Sequence, residues 1–283
     1  MKAEAQSPLT RVFSIKRIGN GHDVETGRVV DTVAAEEPLN IRVTYSIKEA
    51  RISQSLALTM RTPGSDRELA AGFLLSEGIV TRREQILELR SLGTEPSNEI
   101  AVELSEDVDL DAWRMSRNTF LNSSCGICGK RSSEALLRSE PVADSGAFRV
   151  TSDLIRTLPD LLRSHQSGFD LTGGLHAAAL VSSDGKIERV FEDIGRHNAL
   201  DKLLGSCLLR GEVPLTNRIV FMSSRSSFEL VQKAVAAGAP ILATVGGPSS
   251  LAVDTAREHG ITLVGFVRNQ RFNIYSGDWR INS

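Results

Sequence analysis

The sequence predicts a mixed α/β protein in two parts, and two patterns carry that expectation. Over roughly the first hundred residues apolar side chains recur at every second position, the period of half-buried strands. Over the last third, strand-like runs alternate with helix-like runs, the pattern of a mostly parallel βαβαβ unit. A polar, Pro- and Gly-bearing stretch at 139–146 separates them. The boundary is therefore expected at 144/145, with a smaller β-rich part over 1–144 and an α/β part over 145–283.

Each element follows from local pattern. Leu39, Ile41, Val43 and Tyr45, then Leu56, Leu58 and Met60, then Ile100, Val102 and Leu104 each read as a strand with one apolar face. Pro63-Gly64 marks a turn, and Ser65 or Asp66 is placed to cap a helix with Leu69, Phe73 and Leu74 on one face and Gly78 at its end. Residues 93–98 read as a loop. Leu154, Ile155, Leu158 and Leu162 stand at helical spacing, but Pro159 among them predicts a kink or two short helices. Strand-like runs at 177–182 and 187–191 flank Asp184-Gly185, a strong hairpin signal. Leu200, Leu203, Leu204, Cys207 and Leu208 predict one buried helix face, with Cys207 as core packing.

The final third predicts strands at 218–222, 241–245 and 261–267. Helices at 228–237 and 251–259 separate them, closed by Gly238 and Gly260. Parallel strands connected this way bind ligands beyond their carboxyl ends. Those ends carry Ser223-Ser224-Arg225-Ser226, Gly246-Gly247-Pro248-Ser249-Ser250 and Arg268-Asn269-Gln270-Arg271.

Composition narrows the function classes. The 283 residues hold 33 Lys and Arg against 35 Asp and Glu, a formal net charge of −2, so nucleic-acid binding through overall charge is not expected. The first eight residues lack the apolar core of a secretory signal. The most apolar stretch, 234–245, is broken by Gly238 and Pro240 and is too short to span a membrane. A soluble cytoplasmic protein is the expectation. Three cysteines cannot build a disulfide framework, and in a reducing compartment the close pair Cys125 and Cys128 reads as chemistry.

Five segments can carry that chemistry. In Asn122-Ser123-Ser124-Cys125-Gly126-Ile127-Cys128-Gly129-Lys130-Arg131, small neighbours leave the sulfurs accessible. The two cations and a following helical pattern favour the thiolate, the species that attacks or ligates. His176 follows Thr172-Gly173-Gly174-Leu175 at the mouth of a strand, where it either bonds backbone or meets a ligand. Glu192-Asp193-Ile194-Gly195-Arg196-His197-Asn198 runs from a strand end into a helix start; Asp193 or Asn198 is a candidate cap, and Arg196 and His197 are candidate ligand contacts. The turns with Ser224, Ser226, Gly246, Gly247 and Ser249 offer backbone N–H groups, hydroxyls and a helix dipole suited to phosphate, although helix capping by Ser explains them equally well. They lack the Lys of a Walker loop, and no GxGxxG is present. After the last predicted strand, Phe266, Val267, Arg268, Asn269, Gln270 and Arg271 combine an aromatic ring, two guanidinium groups and two amides, able to stack on a base and hold a pyrophosphate.

Taken together these motifs closely resemble the FdhD family of formate dehydrogenase accessory sulfurtransferases over almost the whole chain. The resemblance is carried by Ser123-Ser124-Cys125-Gly126-Ile127-Cys128-Gly129, Thr172-Gly173-Gly174-Leu175-His176-Ala177-Ala178, the Glu192 motif continued through Ala199-Leu200-Asp201-Lys202, Ser223-Ser224-Arg225-Ser226-Ser227 and the Phe266 segment. It implies a sulfurtransferase that takes sulfur from a cysteine desulfurase as a cysteine persulfide. The sulfur then goes to molybdenum in the bis(molybdopterin guanine dinucleotide) cofactor of formate dehydrogenase. It assigns the persulfide to Cys125 and cofactor binding to Phe266 through Arg271. It also implies a cytidine-deaminase-like three-layer fold for the C-terminal part, a homodimer, and the cofactor as bound substrate with no permanent metal. The residues alone do not rank Cys128 against Cys125.

Two other readings remain open on sequence. A zinc deaminase also uses a His and a CxxC. Here, however, the CxxC precedes the His, and the position two after His176 is Ala178 rather than the proton-shuttling Glu. A non-catalytic chaperone would bind the cofactor and leave both cysteines structural.

Overall fold

The computed structural model describes residues 9–19, 27–47, 50–93, 97–110 and 148–282. Strands β1 (Thr10–Arg17) and β2 (Gly27–Ala34) form an antiparallel ribbon. Strands β3 (Glu37–Ile47), β4 (Ala50–Arg61), β5 (Ile86–Ser91) and β6 (Glu99–Leu104) form a sheet in the order β4-β3-β6-β5, with β3 and β6 parallel. The alternation along β3 and β6 buries Leu39, Ile41, Val43, Tyr45, Ile100, Val102 and Leu104, as expected.

β4 departs from its apolar pattern. Leu56 is buried, but Leu58 and Met60 are 70% and 48% exposed. A bulge explains the change: Ala57 pairs with Ile41 and Ser55 with Arg42, so Leu56 is an extra residue in the ladder. One extra residue exchanges the two faces, and Leu58 and Met60 turn outward. β4 ends at Arg61, whose guanidinium is 1% exposed and holds Asp66 through two bonds of 2.8 and 2.9 Å. It also reaches the Ser97 carbonyl and Asn98 Oδ1. Helix α1 (Asp66–Ser76) starts there. Ser65 occupies the cap position but adopts a left-handed φ of 55° and makes no side-chain cap, and the neighbouring Asp66 carboxylate is committed to Arg61.

The second part opens with β7 (Val150–Thr151), which pairs with the terminal β14 (Ile281–Asn282). Helix α2 (Ser152–Arg163) follows, then α3 (Ser167–Thr172). α2 is one helix in spite of Pro159: Ile155, Leu158 and Leu162 on both sides of the proline are buried in one core, and that burial outweighs the lost N–H. β8 (His176–Ser182) and β9 (Ile187–Asp193) make the expected hairpin, turning at Gly185 with φ 86°. After helix α4 (Arg196–Leu209) come β10 (Arg218–Met222), α5 (Phe228–Ala236), β11 (Ile241–Thr244), α6 (Ser250–Glu258) and β12 (Thr262–Arg268). β10, β11 and β12 are parallel, as the pattern predicts. The chain does not stop at a free tail: β12 turns at Asn269-Gln270 into an antiparallel edge strand, β13 (Arg271–Ser276). The sheet order is β13-β12-β11-β10-β8-β9, with β8 antiparallel to β10.

Alternate residues of this sheet serve two layers. Ala178, Leu180, Val220, Met222, Leu242 and Leu263 join a core with α4, α5 and α6. Ala177, Ala179, Val181, Ile219, Phe221, Ile241, Ala243 and Val264 join a second core with α2. The boundary expected at 144/145 lies outside the described residues. The first core nonetheless runs without a break from β3 and β6 through α1 into α4.

That continuity requires two glycines. A Cβ on Gly72 of α1 would stand 1.8 Å from the Asp201 carbonyl oxygen, and one on Gly205 of α4 would stand 1.9 Å from the Glu68 carbonyl oxygen. The helices therefore touch backbone to backbone. As a result α4 is buried on nearly every side from Asn198 to Leu208, where the spacing predicts a single buried face. Cys207 is core packing as expected; burial pushes its thiol up to about 11. Among the described residues no helix is long and apolar enough to cross a membrane.

Two outcomes check this arrangement. Gly205→Ala must part α1 from α4, so urea unfolding is expected to show a loss of about 3 kcal/mol, and adding Gly72→Ala should cost less than the sum because one separation relieves both clashes. The bulge in β4 predicts that Leu56→Ala costs about 2–4 kcal/mol, whereas Leu58→Ser changes stability by no more than about 0.5 kcal/mol.

Candidate functional site

The carboxyl ends of β10, β11 and β12, the end of β9 and the start of β8 all open on one edge of the large sheet. Their connecting loops are laced together by backbone bonds. Gly246 N–H donates to the Ser224 carbonyl (2.9 Å), Ser226 N–H to the Gly247 carbonyl (3.2 Å), and Phe266 N–H to the Gly246 carbonyl (3.0 Å). Gly246 is required by this packing, since a Cβ there would lie 2.8 Å from the Arg225 Cα. Gly247 is required for another reason: the Phe266 ring lies where its Cβ would be, with Cζ at 2.4 Å. Phe266 holds this place with a left-handed φ of 53°, costly for a bulky side chain, and remains 46% exposed.

The predicted hydroxyls are mostly spent internally. Ser226 Oγ lies 2.7 Å from Thr244 Oγ1, Ser224 Oγ donates to the Arg225 carbonyl at 3.1 Å, and both side chains are buried. Ser249 accepts from Ala252 N–H at 3.2 Å and caps α6. The Phe266 segment divides as well. Val267 packs its side chain into the core beside α2. Arg268 donates to the carbonyl of Val245 at 2.6 Å, across the end of β11, while Asn269 donates to Asp160 of α2 at 2.7 Å. Gln270 and Arg271 are exposed at the turn into β13.

The structure brings His176, Arg196 and His197 together. His176 begins β8 and pairs across the ladder with Asp193, the last residue of β9. Arg196 and His197 are the first two residues of α4, whose first turn carries no acidic side chain and whose cap is Gly195. The expected capping by Asp193 takes a different form: its carboxylate accepts from Gly195 N–H at 2.8 Å, from Asn198 Nδ2 at 3.2 Å and from Thr62 N–H at 3.1 Å. Lys202 lies 2.7 Å from the same carboxylate, and this pair is almost completely buried. Cys125 and Cys128 lie outside the described residues.

The cationic character of the group shows in its histidines. Burial first, then the charges of Arg196 and Arg225, hold His176 below the ordinary imidazole range, against the opposing pull of Asp193. His197 is pushed down to about 4, by burial first, then by Lys233 and Arg196, with Glu229 opposing. Its Nε2 is 3.4 Å from Ser227 Oγ and 3.9 Å from Glu229. Arg225 was not among the residues singled out from sequence. Its signal was a lone exposed guanidinium inside a run of serines, overshadowed by the hydroxyls around it. A neutral imidazole, two guanidinium groups and a helix start without a carboxylate can receive an anion, and the Phe266 ring near the end of β12, further along the same sheet edge, can receive a planar group.

The depressed value of His197 sets a pH dependence. Between about 4 and 6.5 the unfolded chain binds the proton and the folded chain does not, so the stabilisation is complete above about 6.5 and is lost as pH falls toward 4. With its partial exposure discounted, this is expected to be about 2 kcal/mol. Urea unfolding at pH 7.5 and 4.5 should show that much more acid loss in the parent than in His197→Gln.

With this geometry in view, comparison with known proteins is specific. The FdhD/NarQ family model matches residues 34–282. "Sulfur carrier protein FdhD" of Streptomyces coelicolor is 46% identical over 281 residues, covering 96% of this chain and 97% of that one. The protein of the same name from Sulfurisphaera tokodaii is 41% identical over 277 residues, covering 98% and 99%. A crystal structure of a candidate formate dehydrogenase accessory protein from Desulfotalea psychrophila superposes with a TM-score of 0.74 at 26% identity, covering 97% of this chain and all of that one. The chain belongs to the FdhD/NarQ family.

Proposed function

We propose that the protein is a sulfurtransferase of formate dehydrogenase maturation. It takes sulfur from a cysteine desulfurase and delivers it to the molybdenum of bis(molybdopterin guanine dinucleotide), which it binds as substrate. The observation that carries this reading is the near full-length match to relatives named as sulfur carriers. The sequence supplies the chemistry at Cys125: its thiolate attacks the terminal sulfur of the donor's persulfide, the donor S–S bond breaks, and the electron pair leaves on the donor cysteine as thiolate. The product is a persulfide on Cys125, with Cys128 three residues away as a second thiol.

The crevice supports the cofactor part of the reading. A guanine dinucleotide carries planar bases and pyrophosphates, and this edge of the sheet offers the half-exposed Phe266 ring at the end of β12 and, toward β9, Arg225, Arg196 and the start of α4. Of the segment Phe266 to Arg271, Phe266 and Arg268 lie at the crevice edge, whereas Asn269 is tied to α2. We also read the large sheet as deaminase-like; an order of β9-β8-β10-β11-β12 with the first two strands as an antiparallel hairpin and helices on both faces supports it. The protein works in the cytoplasm, as a homodimer, with the desulfurase and formate dehydrogenase as its partners.

Intact mass after incubation with a desulfurase and cysteine tests the reading. The parent is expected to gain a sulfur atom that Cys125→Ala does not gain, and the variant should lower maturation of formate dehydrogenase to background. Full maturation by Cys125→Ala would instead mark a chaperone that hands over the cofactor without touching sulfur.

A further inference from the structure

Three of the groups at the crevice, His176, Arg196 and His197, lie around a single buried carboxylate. Asp193 has no solvent exposure and receives donors from three separate places. Thr62 N–H comes from the end of β4, Gly195 N–H and Asn198 Nδ2 from the start of α4, and Lys202 Nζ from two turns into α4. The connection to β4 is made twice more, since Lys202 Nζ donates to the Thr62 carbonyl at 2.8 Å and Thr62 Oγ1 accepts from Ile194 N–H at 3.1 Å. The same carboxylate therefore fixes where β9 ends, in which direction α4 departs, and how the first sheet sits against both. Asp193 also stands across the ladder from His176, and Arg196 and His197 are the third and fourth residues after it.

A buried ion pair is a poor source of stability, because desolvation offsets most of the attraction. Four converging donors on one carboxylate instead define geometry. We infer that Asp193, with Lys202 as its counter-charge, is a positioning residue for the anion-receiving groups His176, Arg196 and His197, acting on the bound substrate through them. This rests on the cofactor reading above and names the residue that organises its phosphate-facing side.

The test compares the parent with Asp193→Asn and with Asp193→Asn/Lys202→Gln, the second of which removes both charges while keeping hydrogen-bonding side chains. Thermal unfolding reports the fold, and calorimetry at a temperature where all three are folded reports binding of GDP and of inorganic pyrophosphate. The expected result is at least a tenfold loss of affinity for both probes in both variants, with the double variant recovering unfolding temperature but not affinity. His176 should also titrate lower in both variants by NMR, because the opposing charge of Asp193 is gone while Arg196 and Arg225 remain. A folded double variant that binds both probes as the parent does overturns the inference. A parent that binds pyrophosphate but not GDP sinks the guanine reading alone, and the variants then decide the positioning role on pyrophosphate. A parent that binds neither overturns the inference, since no anion site would exist to be positioned.

Discussion

Everything in this structure depends on how closely α1 can approach α4. The two helices meet at Gly72 and Gly205 with no side chain between their backbones, so the α1 layer that covers the small sheet also covers the helical face of the large one. Two lysines of the second part then complete the contact from within. Lys202 reaches Asp193 and the Thr62 carbonyl, while Lys233 of α5 reaches both oxygens of Asp201, which Ser76 at the end of α1 also bonds. Each ammonium is buried and costs desolvation, but each is met by a carboxylate that other donors hold in place, Asp193 by Thr62, Gly195 and Asn198, and Asp201 by Ser76. Had α1 stood a methyl group further away, Ser76 could not reach Asp201.

The buried charges are what join packing to chemistry. Asp201 is pushed upward by burial, against the pull of Lys233 and Ser76. The field of Lys233 also falls on His197 and helps to keep that imidazole neutral at the crevice. A group at the crevice thus takes its protonation state partly from an ion pair that belongs to the interior. The crevice edge is organised in the same way. Ser224, Ser226 and Thr244 turn their hydroxyls inward to fix the loops, leaving the outward contacts to Arg225 and Phe266.

How much of this could be read beforehand divides along physical lines. The βαβαβ run was legible because parallel strands and their helices leave local marks: short apolar runs, helical spacing, and Gly238 and Gly260 at the helix ends. The β8–β9 hairpin and the burial of Cys207 were legible for the same reason. The outward turn of Leu58 and Met60 was not, because a bulge is a property of two strands in register and leaves no trace in one. Strand β13 was missed because its residues stay largely exposed at a sheet edge and lack an apolar run. The total burial of α4 was missed because Gly72 and Gly205 acquire meaning only when brought together. Among site residues, His176, Arg196 and His197 were visible as a concentration of donors. Arg225 was visible only as charge among serines, and the roles of Asp193 and Lys202 depend on Thr62, about 130 positions away in the chain.

The close burial of α4 has a consequence for how such a chain can vary over evolutionary time. From Asp193 at the end of β9 to Gly205 in α4 the chain carries a fixed sequence of obligations: Asn198 toward β4, Asp201 toward Lys233, Lys202 toward Asp193, Gly205 against α1. Inserting or deleting one residue rotates everything beyond it by about 100°. No side of the helix faces open solvent where such a rotation could be absorbed. Length in this stretch is therefore constrained more tightly than identity. Gaps between relatives should collect in the surface turns, such as that between β8 and β9, while 193–205 keeps its count even where its residues change.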